Sequence, residues 1–259
     1  MRDTDLPAHE LWVCHLGLVP YTDGIAIQET LRARRQSGVV PDTLLLLEHP
    51  PVYTRGRRSA DGELPLGEDF YRAKGIDVLD TDRGGRFTYH GPGPLVGYPI
   101  MQIDDVHRYL RTMEDAILAA LAEEGVQGRS RRDEGIDYTG VWVKERKIAS
   151  IGVHVSRGIT THGFAVNVQV DLEPFAWVVA CGLPDVRMTS LQDELAPASS
   201  TGMACMRKRV AFHFCQAHAR RQRLVSPRRL GIDTTNSIGL ASKRAPINLL
   251  QTRLETIPA

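Results

Sequence analysis

The hydrophobic pattern of the chain changes period several times. Between Asp104 and Val126 apolar residues recur every three to four positions, at Val106, Leu110, Met113, Ile117 and Leu121. That is the spacing of one helix face. Asp104 or Asp105 stands at the N-cap position and Gly125 follows the end. A second helix reads across TDGIAIQETLRARRQSG, with Thr22 or Asp23 as cap, Ile27 and Leu31 on one face and Gly38 as the stop. The run DTLLLLEHPPVYTRG reads as a buried strand ended by Pro50-Pro51, and IDVLDTD alternates as another. GVWV and KIASIGVHV flank the polar turn Lys144-Glu145-Arg146, which predicts a β-hairpin, and HGFAVNVQVDL predicts a further strand. After Leu195 the pattern weakens. MACMRKRVAFHFCQAHARRQRL reads as one last helix, and from Val225 no core-forming period remains. Strands and helices mix without strict βαβ alternation, so the fold class expected is α+β, with mixed β-sheets packed by helices. The division expected is a single domain over residues 1–224 and a basic, unstructured tail over 225–259.

Composition narrows the picture. The first ten residues carry charges and no apolar stretch, and the longest aliphatic run is the four leucines Leu44 to Leu47. The expectation is a cytoplasmic protein with no membrane partner. The four cysteines, Cys14, Cys181, Cys205 and Cys215, are widely spaced and expected to be reduced. A net charge of +1 hides an asymmetry: residues 197–259 hold 11 lysines and arginines against 2 acids, the rest 21 against 29. A basic tail of this kind is more often a solvated extension than a nucleic-acid or acidic-partner site, and no nucleic-acid partner is expected.

Three stretches carry candidate chemistry. Asp82 to Pro99, DRGGRFTYHGPGPLVGYP, packs five glycines and three prolines around two arginines and a histidine. Its interleaved Phe87, Tyr89, Leu95, Val96 and Tyr98 point to a lined groove rather than a solvated loop. In RKIASIGV, counting in twos puts Lys147 on one face with Ala149, Ile151 and Val153, so its amine points to the buried side. The bland alternative is an edge lysine reaching to water. WVVACGLP ends an apolar run on Cys181, which alone reads more readily as a small core residue than as a nucleophile. His90 and His162 read as structural histidines, and Gly152 and Gly163 as places where something lies flat against the backbone. Cys205, His213, Cys215 and His218 fit no compact zinc spacing, so no metal is expected.

Taken together, LLLLEHPPVYTRGRRS, DRGGRFTYHGPGPLVGYPI, TGVWVKERKIASIGVHVSRGITTHGFAVNVQVDLEPF and ACGLPDVRMTSL resemble the lipoyl(octanoyl) transferase family, across about residues 11–195. The resemblance implies a fold like the biotin and lipoate protein ligases, and transfer of an octanoyl group from acyl carrier protein to a lysine of a lipoyl domain, without a cofactor. The acceptors it implies are the lipoyl domains of 2-oxoacid dehydrogenases and the glycine cleavage H protein. It implies a Cys181/Lys147 dyad passing through an acyl-thioester. The substrate-lining stretches it implies are Arg83, Gly84, Gly85, Arg86, Phe87, Thr88, Tyr89 and His90, then Ser150, Ile151 and Gly152, then Gly163, Phe164 and Ala165. On this reading these backbones also offer N–H donors to the oxyanion, and some of Arg55, Arg57, Arg58, Arg83 and Arg86 dock the acidic carrier. Pro94 stands where the family usually has glutamine, and Ala180 where it usually has proline. The rival readings are an ATP-dependent lipoate or biotin ligase and a non-catalytic acyl- or partner-binding module.

Overall fold

The computed structural model describes residues 9–179, 182–183, 186–195 and 202–232. In chain order its elements are β1 (Glu10–Leu18), α1 (Tyr21–Gln36), β2 (Thr43–Glu48), β3 (Val52–Arg55), α2 (Glu68–Ala73), β4 (Asp77–Asp80), β5 (Thr88–His90) and β6 (Pro94–Ile100). Then follow α3 (Val106–Glu123), β7 (Arg129–Ser130), β8 (Gly140–Val143), β9 (Arg146–Ser156), β10 (Ile159–Asn167), α4 (Glu173–Ala176), β11 (Arg187–Met188), α5 (Leu191–Glu194), α6 (Met203–Ala217) and β12 (Arg221–Leu224). The large sheet runs β12-β1-β2-β6-β10-β9-β8-β7, with β11 added on β9, and a small sheet runs β4-β3-β5. This is the mixed α+β architecture expected. Among the described residues no helix is long and apolar enough to cross a membrane.

The leucine run explains the layering. Leu44 and Leu46 belong to the core shared with Met113, Ile117, Leu121 and Phe214 of α3 and α6. Leu45 and Leu47 belong to the core shared with Leu31 of α1 and Val96 and Tyr98 of β6. Successive strand side chains point to opposite faces, so four leucines in a row mean that both faces of β2 are covered. β1, which sequence patterning did not single out, divides the same way: Leu11 and Val13 against Trp12, Cys14 and Leu16. A third core, with Tyr53, Tyr71, Phe87 and Phe175, lies around the small sheet.

The caps differ in part from expectation. Asp105 caps α3 by accepting from Arg108 N at 2.9 Å. Val106, expected on the apolar stripe, is exposed, and Tyr109, Ala116 and Ala120 complete the buried face. α1 begins directly after Pro20 with no side-chain cap, so neither Thr22 nor Asp23 fills that role. Past Val225 the chain remains packed: a 3-10 turn at Pro227–Leu230 buries Leu230 fully, and Arg34 donates to the Leu230 carbonyl. Residues 233–259, the rest of the expected tail, lie outside the described residues.

Candidate active site

A narrow groove lies on the α1 face of the large sheet. Its floor is β9 and β10, and its wall is the segment from Asp82 to His90. Lys147, Arg83, His90 and residues 85–88, 150–152 and 163–165 all line it. Two expected lining residues do not. Tyr89 points away between Thr88 and His90, as strand alternation requires, and packs on Tyr53 and Phe175. Gly84 sits behind the wall, where its N–H donates to Val153 O at 2.9 Å. Cys181 and Ala180 lie outside the described residues. Pro94 opens β6 in register with Asn167 and is not part of the groove lining.

The wall can lie on the floor because Gly152 has no side chain. A Cβ there would stand 2.5 Å from the Gly84 carbonyl oxygen. The partner expected to lie flat against Gly152 is thus the glycine loop itself. Gly152→Val forces that loop off the sheet, and overpacking of this kind costs about 1–3 kcal/mol. A thermal melt should fall by several degrees and the KM for the acyl donor should rise; an unchanged melt and KM would show that the loop does not depend on this contact.

Arg83 is an internal strut rather than a docking residue. It is buried, donating through Nη2 to Thr54 O at 2.7 Å, through Nε to Thr54 Oγ1 at 3.1 Å and through Nη1 to Gly84 O at 3.1 Å. Arg58 and Arg86 close on Asp137 from across the mouth, at 2.9 and 3.7 Å, and Arg86 also pairs with Glu63 at 2.9 Å. Arg55 is held by Glu68 and Asp80. The exposed Ile136 beside Arg58, Arg86 and Asp137 leaves the mouth part charged and part apolar, and Arg57 is exposed but does not line the groove.

Lys147 is buried, but its face is not the one that counting in twos gives. The β8–β9 register shifts between Val141 and Trp142, which pair with Ala149 and Lys147. The extra residue, Ile148, is a β-bulge that re-aims what precedes it. Ala149, Ile151 and Val153 therefore face α3 and α6 while Lys147 faces the groove. The amine lies 5.3 Å from the Trp142 ring centroid. Gly140, at φ 134°, lies against the lysine stem: a Cβ there would stand 2.9 Å from Lys147 Cε. Glu114 of α3 fixes this corner, accepting from Gly140 N at 2.9 Å and Ser130 Oγ at 2.7 Å. Sequence patterning missed Glu114, because a glutamate on an amphipathic helix ordinarily reads as solvated.

On the other side of Lys147, β11 pairs in parallel, Met188 opposite Lys147, and Thr189 N donates to Lys147 O at 2.9 Å. The lysine backbone is thus held from both flanks. Phe164 and Ala165 are paired to β6 and β9 together, so their N–H groups belong to the ladders and the expected oxyanion donors are not found there.

The other cysteines behave as packing residues. Burial pushes the thiols of Cys14 and Cys215 up to about 12, far from thiolate formation at neutral pH. Cys205 is exposed on α6, and His218 stacks on Phe214 at 4.2 Å. Among the described residues no group of three histidines, cysteines or acids is placed to hold a metal ion.

Known proteins resemble this chain in sequence and in fold. Residues 20–214 match the lipoyl protein ligase A/B catalytic domain family. The octanoyltransferase of Rubrobacter xylanophilus is 49% identical over 183 residues, covering 69% of this chain and 81% of its own. That of Syntrophotalea carbinolica is 42% identical over 203 residues, covering 77% and 90%. Among solved structures, lipoate-protein ligase A bound with ATP superposes with a TM-score of 0.69 at 19% identity, covering 86% of this chain and 92% of its own. A bi-partite lipoate protein ligase from Thermoplasma acidophilum gives 0.67 at 17%, covering 84% and 87%. At these identities the structures establish the shared fold.

Proposed function

The chain belongs to the lipoyl protein ligase A/B catalytic domain family and its activity is octanoyl transfer, and we propose that it proceeds through Cys181 and Lys147 in the cytoplasm. The donor is octanoyl-acyl carrier protein. The acceptors are lysines of lipoyl domains, those of 2-oxoacid dehydrogenases and of the glycine cleavage H protein.

The chemistry follows from the side chains. Free cysteine is only a few per cent thiolate at neutral pH, and a lysine ammonium beside it favours the thiolate. The Cys181 thiolate attacks the donor's thioester carbonyl, a new C–S bond forms, the bond to the carrier breaks, and Lys147 gives a proton to the departing thiolate. The acceptor amine then attacks the acyl-enzyme. An amide forms, Cys181 leaves as thiolate, and Lys147 takes the proton the amine sheds. No ATP enters, because the acyl group arrives already activated. The groove at residues 150–152 and 163–165 receives the chain, each buried methylene contributing about 0.8 kcal/mol.

One observation carries this reading. Met188, seven residues beyond Cys181, pairs with Lys147 itself. On the same flank as Met188 a Cβ on Gly182 would overlap the Arg86 side chain, and on the other flank of the cysteine Val179 N donates to Glu63 O. The described residues on both sides of Cys181 are thereby tied to the groove mouth.

The test is intact-protein mass spectrometry after mixing the protein with octanoyl-acyl carrier protein, without ATP. The expected result is a gain of one octanoyl group on wild type but not on Cys181→Ala, discharged by a lipoyl domain. Labelling that requires ATP and free octanoate would instead establish a ligase.

A further inference from the structure

Helix α3 carries a carboxylate on its core side. Met113, Ala116, Ile117 and Ala120 are core residues, and Glu114 among them is 2% exposed. A buried charge is kept at a cost, so its partners show what it holds. Glu114 Oε1 accepts from Gly140 N at 2.9 Å, Oε2 accepts from Ser130 Oγ at 2.7 Å, and Arg132 Nε pairs with Oε2 at 3.3 Å. Ser130 ends β7 and Gly140 begins β8. The ladder between these strands stops at Ser130 and Val141. Gly140 lies one residue past it, and Glu114 supplies the acceptor that β7 no longer does. One carboxylate thus clasps both ends of the segment 130–140.

That segment builds the slot of Lys147. One wall is Gly140 itself, whose φ of 134° favours glycine. A Cβ there would stand 2.3 Å from Ala149 O and 2.9 Å from Lys147 Cε, so the backbone has no slack against the lysine stem. The other wall is Trp142, with its ring centroid 5.3 Å from the amine. Trp142 is held from the same segment: its Nε1 donates to Tyr138 O at 3.0 Å, and the Arg131 guanidinium lies 4.6 Å from its ring centroid. Both walls of the slot therefore depend on how the segment is closed. Glu114 does not itself line the groove.

Resting on the acid–base reading of Lys147, we propose that Glu114 is a positioning residue for the transfer, which sets where the Lys147 amine stands by holding Gly140 and Ser130 together. Reach is what counts, because the side chain must span from α3 to Gly140 N. Charge counts for less, since Arg132 has a second acid, Asp115, at 2.9 Å.

Two variants separate reach from charge. Glu114→Gln keeps an oxygen at full reach, and its amide can donate to Ser130 Oγ. Glu114→Asp keeps the charge and draws it back by about 1.5 Å. Steady-state kinetics with octanoyl-acyl carrier protein and a lipoyl domain are measured for both, for Lys147→Met, and for Glu114→Asp combined with Lys147→Met. A displacement of about 1 Å is enough to predict that Glu114→Asp lowers kcat by about 10–100-fold. The donor KM should stay within about two-fold, as expected of a group that acts on the chemical step. Glu114→Gln should stay within about three-fold of wild type in kcat. Beside Lys147→Met, the aspartate should change the residual kcat by no more than about two-fold, because an amine that is gone cannot be misplaced. A lower folded fraction reduces both backgrounds alike, so equal losses in the two would make Glu114 a structural residue and overturn the proposal. Wild-type kcat in Glu114→Asp overturns it too, as does a loss in Glu114→Gln equal to that in Glu114→Asp. If Lys147→Met alone turns over like wild type, the acid–base reading fails and takes this proposal with it. Silent Glu114 variants beside an impaired Lys147→Met overturn the proposal alone and leave that reading standing.

Discussion

Replacing Lys147 with methionine leaves a folded protein whose octanoyl transfer is lower by about 10²–10⁴-fold, the usual contribution of a positioned acid–base group. Methionine suits the slot, because the lysine stem is already buried between Trp142 and Gly140 and volume-conserving swaps are tolerated best. Arginine should not rescue it: guanidinium holds its proton at any working pH, so the proton cannot cycle between carrier thiolate and acceptor amine. Cys181→Ala should lose the acyl-enzyme altogether. Single-turnover kinetics separate the two roles. Lys147→Met slows both acylation and discharge, whereas Cys181→Ala forms nothing to discharge. Undiminished turnover in Lys147→Met, with an unchanged thermal melt, would remove Lys147 from the chemistry and leave it as a packing residue.

Stability should decline steeply as pH falls from about 6.5 toward 4, beginning above the range in which the carboxylates titrate. His49 is fully buried, with Nδ1 donating to Val19 O at 2.6 Å and Nε2 accepting from the Tyr98 hydroxyl at 2.6 Å. Burial lowers it from near 6.5 to about 4. Burial also holds His90 well below its usual range and lowers His162. A histidine with a lowered folded pKa is protonated first in the unfolded chain. Its contribution is whole above about 6.5 and is lost as pH falls through the folded value. For His49 alone the difference amounts to about 3 kcal/mol. Asp82, held at about 2, adds its own loss only at still lower pH. Chemical denaturation at neutral pH and at pH near 4.5 reads the effect. His49→Gln keeps a donor and an acceptor without titrating, so it should flatten the slope. A level profile over that interval in wild type would mean that these rings are hydrated in solution.

The sequence exposed most of the groove because glycine and strand alternation are local signals. The hairpin at Lys144-Glu145, α3, and the glycine wall from Asp82 were legible for that reason. The face of Lys147 was not, since one bulge residue, Ile148, reverses the parity of everything before it and its cause is the pairing with Trp142. Tyr89 was counted with its neighbours because a loop reading carries no alternation, whereas Thr88 to His90 is a strand. The contact of Asp82 with His162 spans 80 positions and leaves no periodic trace. The arginines near the groove were read by charge alone, and charge does not reveal that Arg83 is spent on Thr54.

The parallel pairing of β12 with β1, Glu10 against Arg221 through Val13 against Leu224, ties nearly the first described residues to nearly the last. During synthesis β1 must therefore wait with one edge open until some two hundred further residues have left the ribosome. Its sequence, ELWVCHLGL, is apolar enough to pair with another chain meanwhile. Loop closure of this span is slow, so the nascent protein is most exposed to aggregation late in its translation, and deletions near residue 220 should harm yield in the cell more than they harm the purified enzyme.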